Sequence, residues 1–365
     1  MQPIAILGPI PRDHIVTHQG DLIQKWGCVT HPVIALSALA VDDLEIIPVS
    51  HLRAVDLDNV VEVFKGYKGL NLKHLTTEND QGDIISLKFV DVNNRLERQT
   101  GFMDPILPED VKNLVNCSVF VFIPISDYEI SLDTLKYLKK KSKGVIIFDA
   151  HGPTTSCLIN GERQRKFWID RDQWLPYIDV LKMNLEEAHA SWFKKEYESQ
   201  EFNESPEFDK EMLRNFASHC LDKGVKCVYV TVDSRGCMAY FKKKGKFYEE
   251  MVPAIKVNGV IDTTGCGDSF AGGVGFGLLQ NKKDKMAQKY LDNAVKANPK
   301  AVDALYAKGY GEQDAKQYEQ SIVTFRQIIE RDYKNEEALY AIGYSYLMMD
   351  SIPQAYKNFD LAIKI

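Results

Sequence analysis

Residues 262–273 read DTTGCGDSFAGG. Gly265 and Gly267 leave the backbone bare on either side of Cys266, and glycine alone enters left-handed geometry without a steric cost. A run of small residues then opens a helix near Asp268. The first turn of a helix has unpaired N–H groups and the positive end of the dipole, so the loop makes an anion site. A carboxylate at the same place can accept a proton from an attacking hydroxyl. Loop and base together suggest phosphoryl transfer to an alcohol, a reaction in which positioning and charge stabilisation supply most of the catalysis. The plainer alternative is an Asp-capped helix start with small residues for close packing. That alternative suits GGVGFG (272–277), whose spacing fits neither GxGxxG nor a Walker A loop.

Working outward, the first 280 or so residues alternate short apolar runs with amphipathic stretches. IAILG (4–8), EIIPV (45–49), VFVFIPI (119–125), VIIFDA (145–150), VLKMN (180–184) and VYVTVD (228–233) read as strands. SLDTLKYLKKK (131–141) and KEMLRNFASHCLDKG (210–224) read as helices between them. Continuous apolar strands alternating with helices predict a mostly parallel sheet covered on both faces, with ligands at the carboxyl ends of the strands. ISLKFVDVNNRLERQTG (85–101) instead alternates and turns at Asn93-Asn94, which predicts a projecting flap.

The glycine stretch and its surroundings resemble the ribokinase-like (PfkB) carbohydrate kinases, whose motif is D-T-x-G-A-G-D. Here it stands as Asp262-Thr263-Thr264-Gly265-Cys266-Gly267-Asp268, with Cys in place of Ala. The resemblance runs from residue 1 to about 280 and implies a three-layer α/β/α fold with a small β flap. It implies that Asp268 is the base and that the amides of Gly265, Cys266 and Gly267 form the anion hole. KMNLEEA places Asn184 and Glu187 on the family's N-x-x-E motif, which organises Mg²⁺ largely through water. Asp13 matches the aspartate that binds sugar hydroxyls, while Thr231, Gly236 and Thr264 fall on the nucleotide side. The family's G-G-x-x-x-N appears as WGCVTH (26–31), keeping Gly27 but putting Trp26 at the first glycine and His31 at the asparagine. His31 is thus either a substrate contact or a structural histidine. Asp13 and Glu187 have bland alternatives as a turn residue and a helix N-terminal acid. Asp149 ends a strand and lines the crevice, with His151 just after it.

The last 80-odd residues are helical and repeat. Leu305, Tyr306, Gly309, Tyr310 and Phe325 recur as Leu339, Tyr340, Gly343, Tyr344 and Phe359, each displaced by 34. A 34-residue helix–turn–helix period resembles the tetratricopeptide repeat. KMAQKYLDNAVKANPK (285–300) reads as the second helix of a preceding repeat, and Gly275 stands in the same phase. The expected domains are therefore 1–281, a ribokinase-like kinase whose C-terminal adenine-pocket segment is missing, and 282–365, the repeats.

The net charge of −6 gives no attraction to nucleic acid or anionic membrane, and KKKSK (139–143) and KKKGK (242–246) read as solvated turns. Seven cysteines without metal spacing indicate reduced thiols, and no apolar run is long enough to span a bilayer, so a cytoplasmic chain is expected. The expected function is ATP- and Mg²⁺-dependent phosphorylation of a hydroxymethyl group on a sugar or nucleoside, with a monovalent cation beside the loop and a homodimer through the flap as further expectations. The rival is an impaired kinase-like domain carrying a repeat module that binds a protein partner, or two unrelated segments joined by gene fusion.

Overall fold

The computed structural model describes residues 2–39, 44–90, 95–193, 208–255, 264–280, 302–330 and 332–364. Asp262, Thr263, the Asn93-Asn94 turn and the helix expected at 285–300 lie outside the described residues. The chain divides into two compact units, Met1–Leu279 and Gln280–Ile365.

In the first unit the chain runs through β1 (Gln2–Leu7), β2 (Arg12–Val16), β3 (Leu22–Trp26), α1 (Thr30–Leu39), β4 (Leu44–His51), α2 (Leu57–Val63) and β5 (Leu75–Thr76). It continues through β6 (Ile84–Phe89), β7 (Arg95–Gly101), α3 (Pro108–Val111), β8 (Val119–Phe122), α4 (Leu132–Lys141) and β9 (Val145–Asp149). There follow β10 (Thr155–Cys157), β11 (Arg163–Arg165), α5 (Arg171–Trp174), β12 (Val180–Asn184), α6 (Leu185–Ser191) and α7 (Lys210–Asp222). The unit ends with β13 (Cys227–Thr231), β14 (Cys237–Lys243), β15 (Lys246–Val252) and α8 (Cys266–Gln280).

Nine strands form one sheet in the order β15-β14-β13-β12-β9-β8-β1-β4-β5. Pairing is parallel from β13 to β5, and β14 and β15 close the other edge as antiparallel strands. Alternation along each central strand builds the two flanking layers. Ala5, Leu7, Phe120, Phe122, Ile146 and Phe148 enter one core, shared with Leu135 of α4 and Phe216 of α7. Ile4, Ile6, Val119, Val121 and Ile147 enter the other, shared with Val33 and Leu36 of α1 and Ala271 of α8. Because both faces are buried, the central strands carry almost no polar residue, which is why they read as unbroken apolar runs.

The strand order reverses at β1, which lies between β4 and β8. The carboxyl ends of strands on either side of such a switch point diverge and leave a crevice. Above it stands a separate four-stranded sheet in the order β3-β2-β6-β7, the flap.

Of the two lysine-rich stretches, the first differs in detail from its sequence reading and the second is the solvated turn expected. KKKSK begins in the last turn of α4, where Lys139, Lys140 and Lys141 complement the helix dipole. KKKGK is the β14–β15 turn, with Lys244 at φ 51° and Gly245 at φ 76°, the pair of positive values that a tight hairpin of matching twist requires.

The second unit contains α9 (Val302–Asp314), α10 (Tyr318–Ile329), α11 (Glu336–Met348) and α12 (Ile352–Ile363). The second hairpin copies the first at an offset of 34 residues at every helix boundary. A Cβ on Gly309 would fall 2.6 Å from the Phe325 ring, and one on Gly343 would fall 2.7 Å from the Phe359 ring. Each hairpin therefore closes by seating a phenylalanine against a glycine. Gly275 does not share this role. A Cβ there would meet Ile4 at 2.9 Å and Val121 at 3.1 Å, so Gly275 lets α8 sit close on the central sheet. Its phase with the repeat glycines carries no common packing.

Candidate active site

α8 begins at Cys266, directly after Gly265, whose φ of 78° is left-handed. That conformation costs an L side chain about 1–2 kcal/mol. Space forbids a side chain as well, since a Cβ on Gly265 would lie 2.1 Å from His31 Nδ1. Gly267 is similarly confined, its absent Cβ 2.8 Å from Lys182 Nζ. The loop thus lies between a histidine from the start of α1 and a lysine from β12. Asp268 sits in the first turn of α8, and its Oδ2 is 3.2 Å from His31 Nδ1.

Lys182 is 5% exposed in a strand whose other residues, Asn184 apart, are apolar. It donates to Asp149 Oδ2 at 2.7 Å, and the two residues are direct neighbours across the β9–β12 pairing. Asp149 Oδ1 accepts from the His151 amide at 3.1 Å. Burial pushes the Asp149 carboxyl up to about 7; Lys182 opposes the rise and the nearby Glu187 adds to it. For Lys182, burial would lower the pKa, but Asp149 and Glu187 outweigh it and raise it. The ammonium is a fixed positive charge under the glycine loop.

Asn184 and Glu187 form a reciprocal cap at the start of α6. Asn184 Oδ1 accepts from the Glu187 amide and Glu187 Oε2 accepts from the Asn184 amide, each at 2.8 Å. Glu187 is buried, and its Oε1 also lies 2.9 Å from His151 Nδ1. Burial would raise its pKa, yet the bond to His151 and the charge of Lys182 hold it below the usual carboxylate range. The bland alternative for Glu187, an exposed helix-end acid, does not fit a residue 1% exposed. Among the described residues no group of three or more His, Cys, Asp or Glu side chains is arranged to hold a metal ion directly. An ionised carboxylate already engaged by backbone and imidazole fits a hydrated Mg²⁺ reached through water better than a stripped ion.

Asp13 lies on β2, and Gly27 faces it: a Cβ on Gly27 would fall 2.5 Å from Asp13 Oδ2. Asp13, Gly27, His31, Asn184, Glu187, Thr264, Gly265, Gly267 and Asp268 all line one cleft at the crevice. Thr231, Gly236 and Cys266 do not line it. Thr231 pairs with Asn184 across β12–β13, and its hydroxyl donates to the Met183 carbonyl at 3.4 Å. Gly236 has φ 112°, and a Cβ there would come within 2.0 Å of the Val252 carbonyl, so it serves the turn into β14.

The cleft also contains Lys182, Glu97 and Arg163, which sequence reasoning passed over. For Lys182 a signal existed: a lysine inside an apolar strand, two residues before Asn184 and therefore on the same side. Glu97 and Arg163 sit in ordinary polar segments and gave none.

Residues 144–290 match the pfkB family carbohydrate kinase pattern. Among solved structures, the ribokinase from Giardia lamblia superposes with a TM-score of 0.60 at 17% identity, covering 84% of this chain and 92% of that one. A pyrophosphate-dependent kinase in the ribokinase family gives 0.59 at 19% identity, with 77% and 89% covered. The nucleoside kinase from Burkholderia thailandensis gives 0.54 at 16% identity, with 84% and 90% covered. No curated protein sequence matches the chain. The fold is ribokinase-like, and residues 144–290 carry the pfkB-family carbohydrate kinase pattern.

Proposed function

We propose that the chain is an ATP- and Mg²⁺-dependent kinase that phosphorylates a hydroxymethyl group of a sugar or nucleoside. One observation carries the reading: Asp268 and the bare Gly265–Gly267 loop open α8 at the same cleft that Asp13 and Glu187 line. In this reading Asp13 orients the acceptor and Asp268 takes the proton from its attacking hydroxyl. The start of α8 and Lys182 draw the transferring phosphoryl group to the loop. Glu187 and Asn184 would hold Mg²⁺ through water, and the ion when bound would offset charge on the phosphoryl oxygens. Thr231, Gly236 and Thr264 are assigned to the nucleotide side on resemblance alone.

The test is phosphoryl transfer from ATP to a panel of sugars and nucleosides, comparing the chain with its Asp268→Asn variant. Loss of a general base lowers turnover by about 10²–10⁴-fold. Equal turnover in both proteins would exclude Asp268 as the base. No turnover with no detectable ATP binding would sink the kinase reading.

A second reading concerns the helical unit. Its 34-residue spacing and glycine–phenylalanine closure favour a tetratricopeptide array that docks a protein segment. Tyr333, Tyr340 and Tyr356 are all more than half exposed, and aromatic side chains are over-represented where proteins bind one another. Pull-down with the full chain and with a Tyr340→Ala, Tyr356→Ala double variant tests it. A partner kept equally by both would place binding elsewhere.

A further inference from the structure

The flap offers one side to the cleft, and strand register determines what that side carries. Asp13 stands opposite Ile85 in the β2–β6 pairing, and Leu87 stands opposite Glu97 in the β6–β7 pairing. All four side chains line the cleft. Two branched apolar residues therefore occupy the middle of this surface, with a carboxylate at either side. Such a surface matches a ring that has C–H bonds on its flat face and hydroxyls at its edge. Carboxylates accept hydrogen bonds only, so they suit hydroxyl donors.

Charge narrows the choice further. Arg163 and Lys182, the arginine and lysine among the described residues that line the cleft, each already have a carboxylate partner. Arg163 Nε donates to Glu97 at 3.2 Å, and its remaining groups donate to Gln99 Oε1, Ser126 Oγ and the Ile125 carbonyl. Lys182 is engaged by Asp149, His151 by Glu187 and His31 by Asp268. A phosphate carried by an acceptor at this surface would face the carboxylates of Asp13 and Glu97, with the Arg163 guanidinium already committed.

We propose that this flap surface selects an uncharged polyhydroxylated ring and rejects acceptors that already carry a phosphate, with Glu97 and the Ile85–Leu87 pair as specificity determinants. The proposal rests on the kinase reading above and narrows it. Juxtaposed like charges cost several kcal/mol, which corresponds to a preference of about a hundredfold or more in kcat/KM.

The experiment uses the full chain with Mg²⁺ and, in parallel, ATP or pyrophosphate as donor. Acceptors are ribose, fructose, myo-inositol and inosine, set against hexose and inositol monophosphates. The expected result is transfer to an unphosphorylated ring at least about a hundredfold better than to any phosphorylated one. A phosphorylated acceptor used equally well or better overturns the selection while leaving the kinase reading intact. Absence of transfer to either class from either donor removes the kinase reading, and this inference with it. On the preferred acceptor, Glu97→Gln is expected to raise KM about tenfold and to change kcat far less, as for a group that binds the ring without joining the chemistry. An unchanged KM in a variant whose melting temperature matches the parent would remove Glu97 from the surface.

Discussion

Gly265 is held by two independent constraints, its left-handed φ of 78° and the His31 ring packed over it. Gly265→Ala should therefore lower transfer activity steeply, and His31→Ala should restore part of it in the double variant by removing the steric half. A double-mutant cycle of kcat/KM measures the coupling, and strictly additive losses would mean the two sites do not touch. Glu187→Gln is a different case, because the amide can neither stay ionised nor accept both bonds it now holds. Activity is expected to fall with a raised Mg²⁺ requirement, read from the rate as a function of Mg²⁺ concentration. An unchanged Mg²⁺ dependence would leave Glu187 a capping residue only. At this scale the motif residues were legible because Gly, Asp and Asn–x–x–Glu spacing reflects local backbone needs. The Lys182–Asp149 pair was not, since it exists only once β9 and β12 adopt their register.

At the scale of elements, the central strands could be read because burial on both faces demands apolar runs, and their order could not, because nothing local encodes which strand lies beside β1. One side chain, Asp179, ties three elements together at the start of β12. It accepts from the Ile146 amide at 3.0 Å, and the Lys139 and Lys226 ammoniums lie 2.8 Å from its Oδ1. Burial would raise its pKa, but the two lysines and the amide hold it below the ordinary value. A carboxyl depressed in the folded state adds stability that is present above its unfolded pKa and lost as pH falls through the folded one. The stabilisation should thus be complete at neutral pH and fade below about pH 4. Asp179→Asn is expected to cost about 1–3 kcal/mol at pH 7 and much less at pH 3, measured by urea denaturation. An equal cost at both values would mean the charge is not what matters.

For the whole molecule, the division into a three-layer unit and a helical unit predicts two unfolding events, since the hydrophobic cores are separate. Phe325 is fully buried in the helical unit's core and seats against Gly309. Phe325→Ala should remove about 3–5 kcal/mol from that core. Calorimetry is expected to show one transition moving down in temperature while the other stays in place. A single transition shifting as a whole would show that the two units unfold together. No helix among the described residues is long and apolar enough to cross a membrane.

Of the seven cysteines, all described, Cys266 alone is exposed, and it rises from the loop between the two glycines. Although it does not line the cleft, this sulfur stands in solvent at the helix start to which the kinase reading draws the donor's phosphoryl group. In that reading, a phosphate donor settled on the amides at this helix start should slow alkylation of Cys266 by a reagent such as iodoacetamide. The rate at which this one thiol is carboxymethylated becomes a gauge of donor occupancy, readable by mass spectrometry before any acceptor has been found.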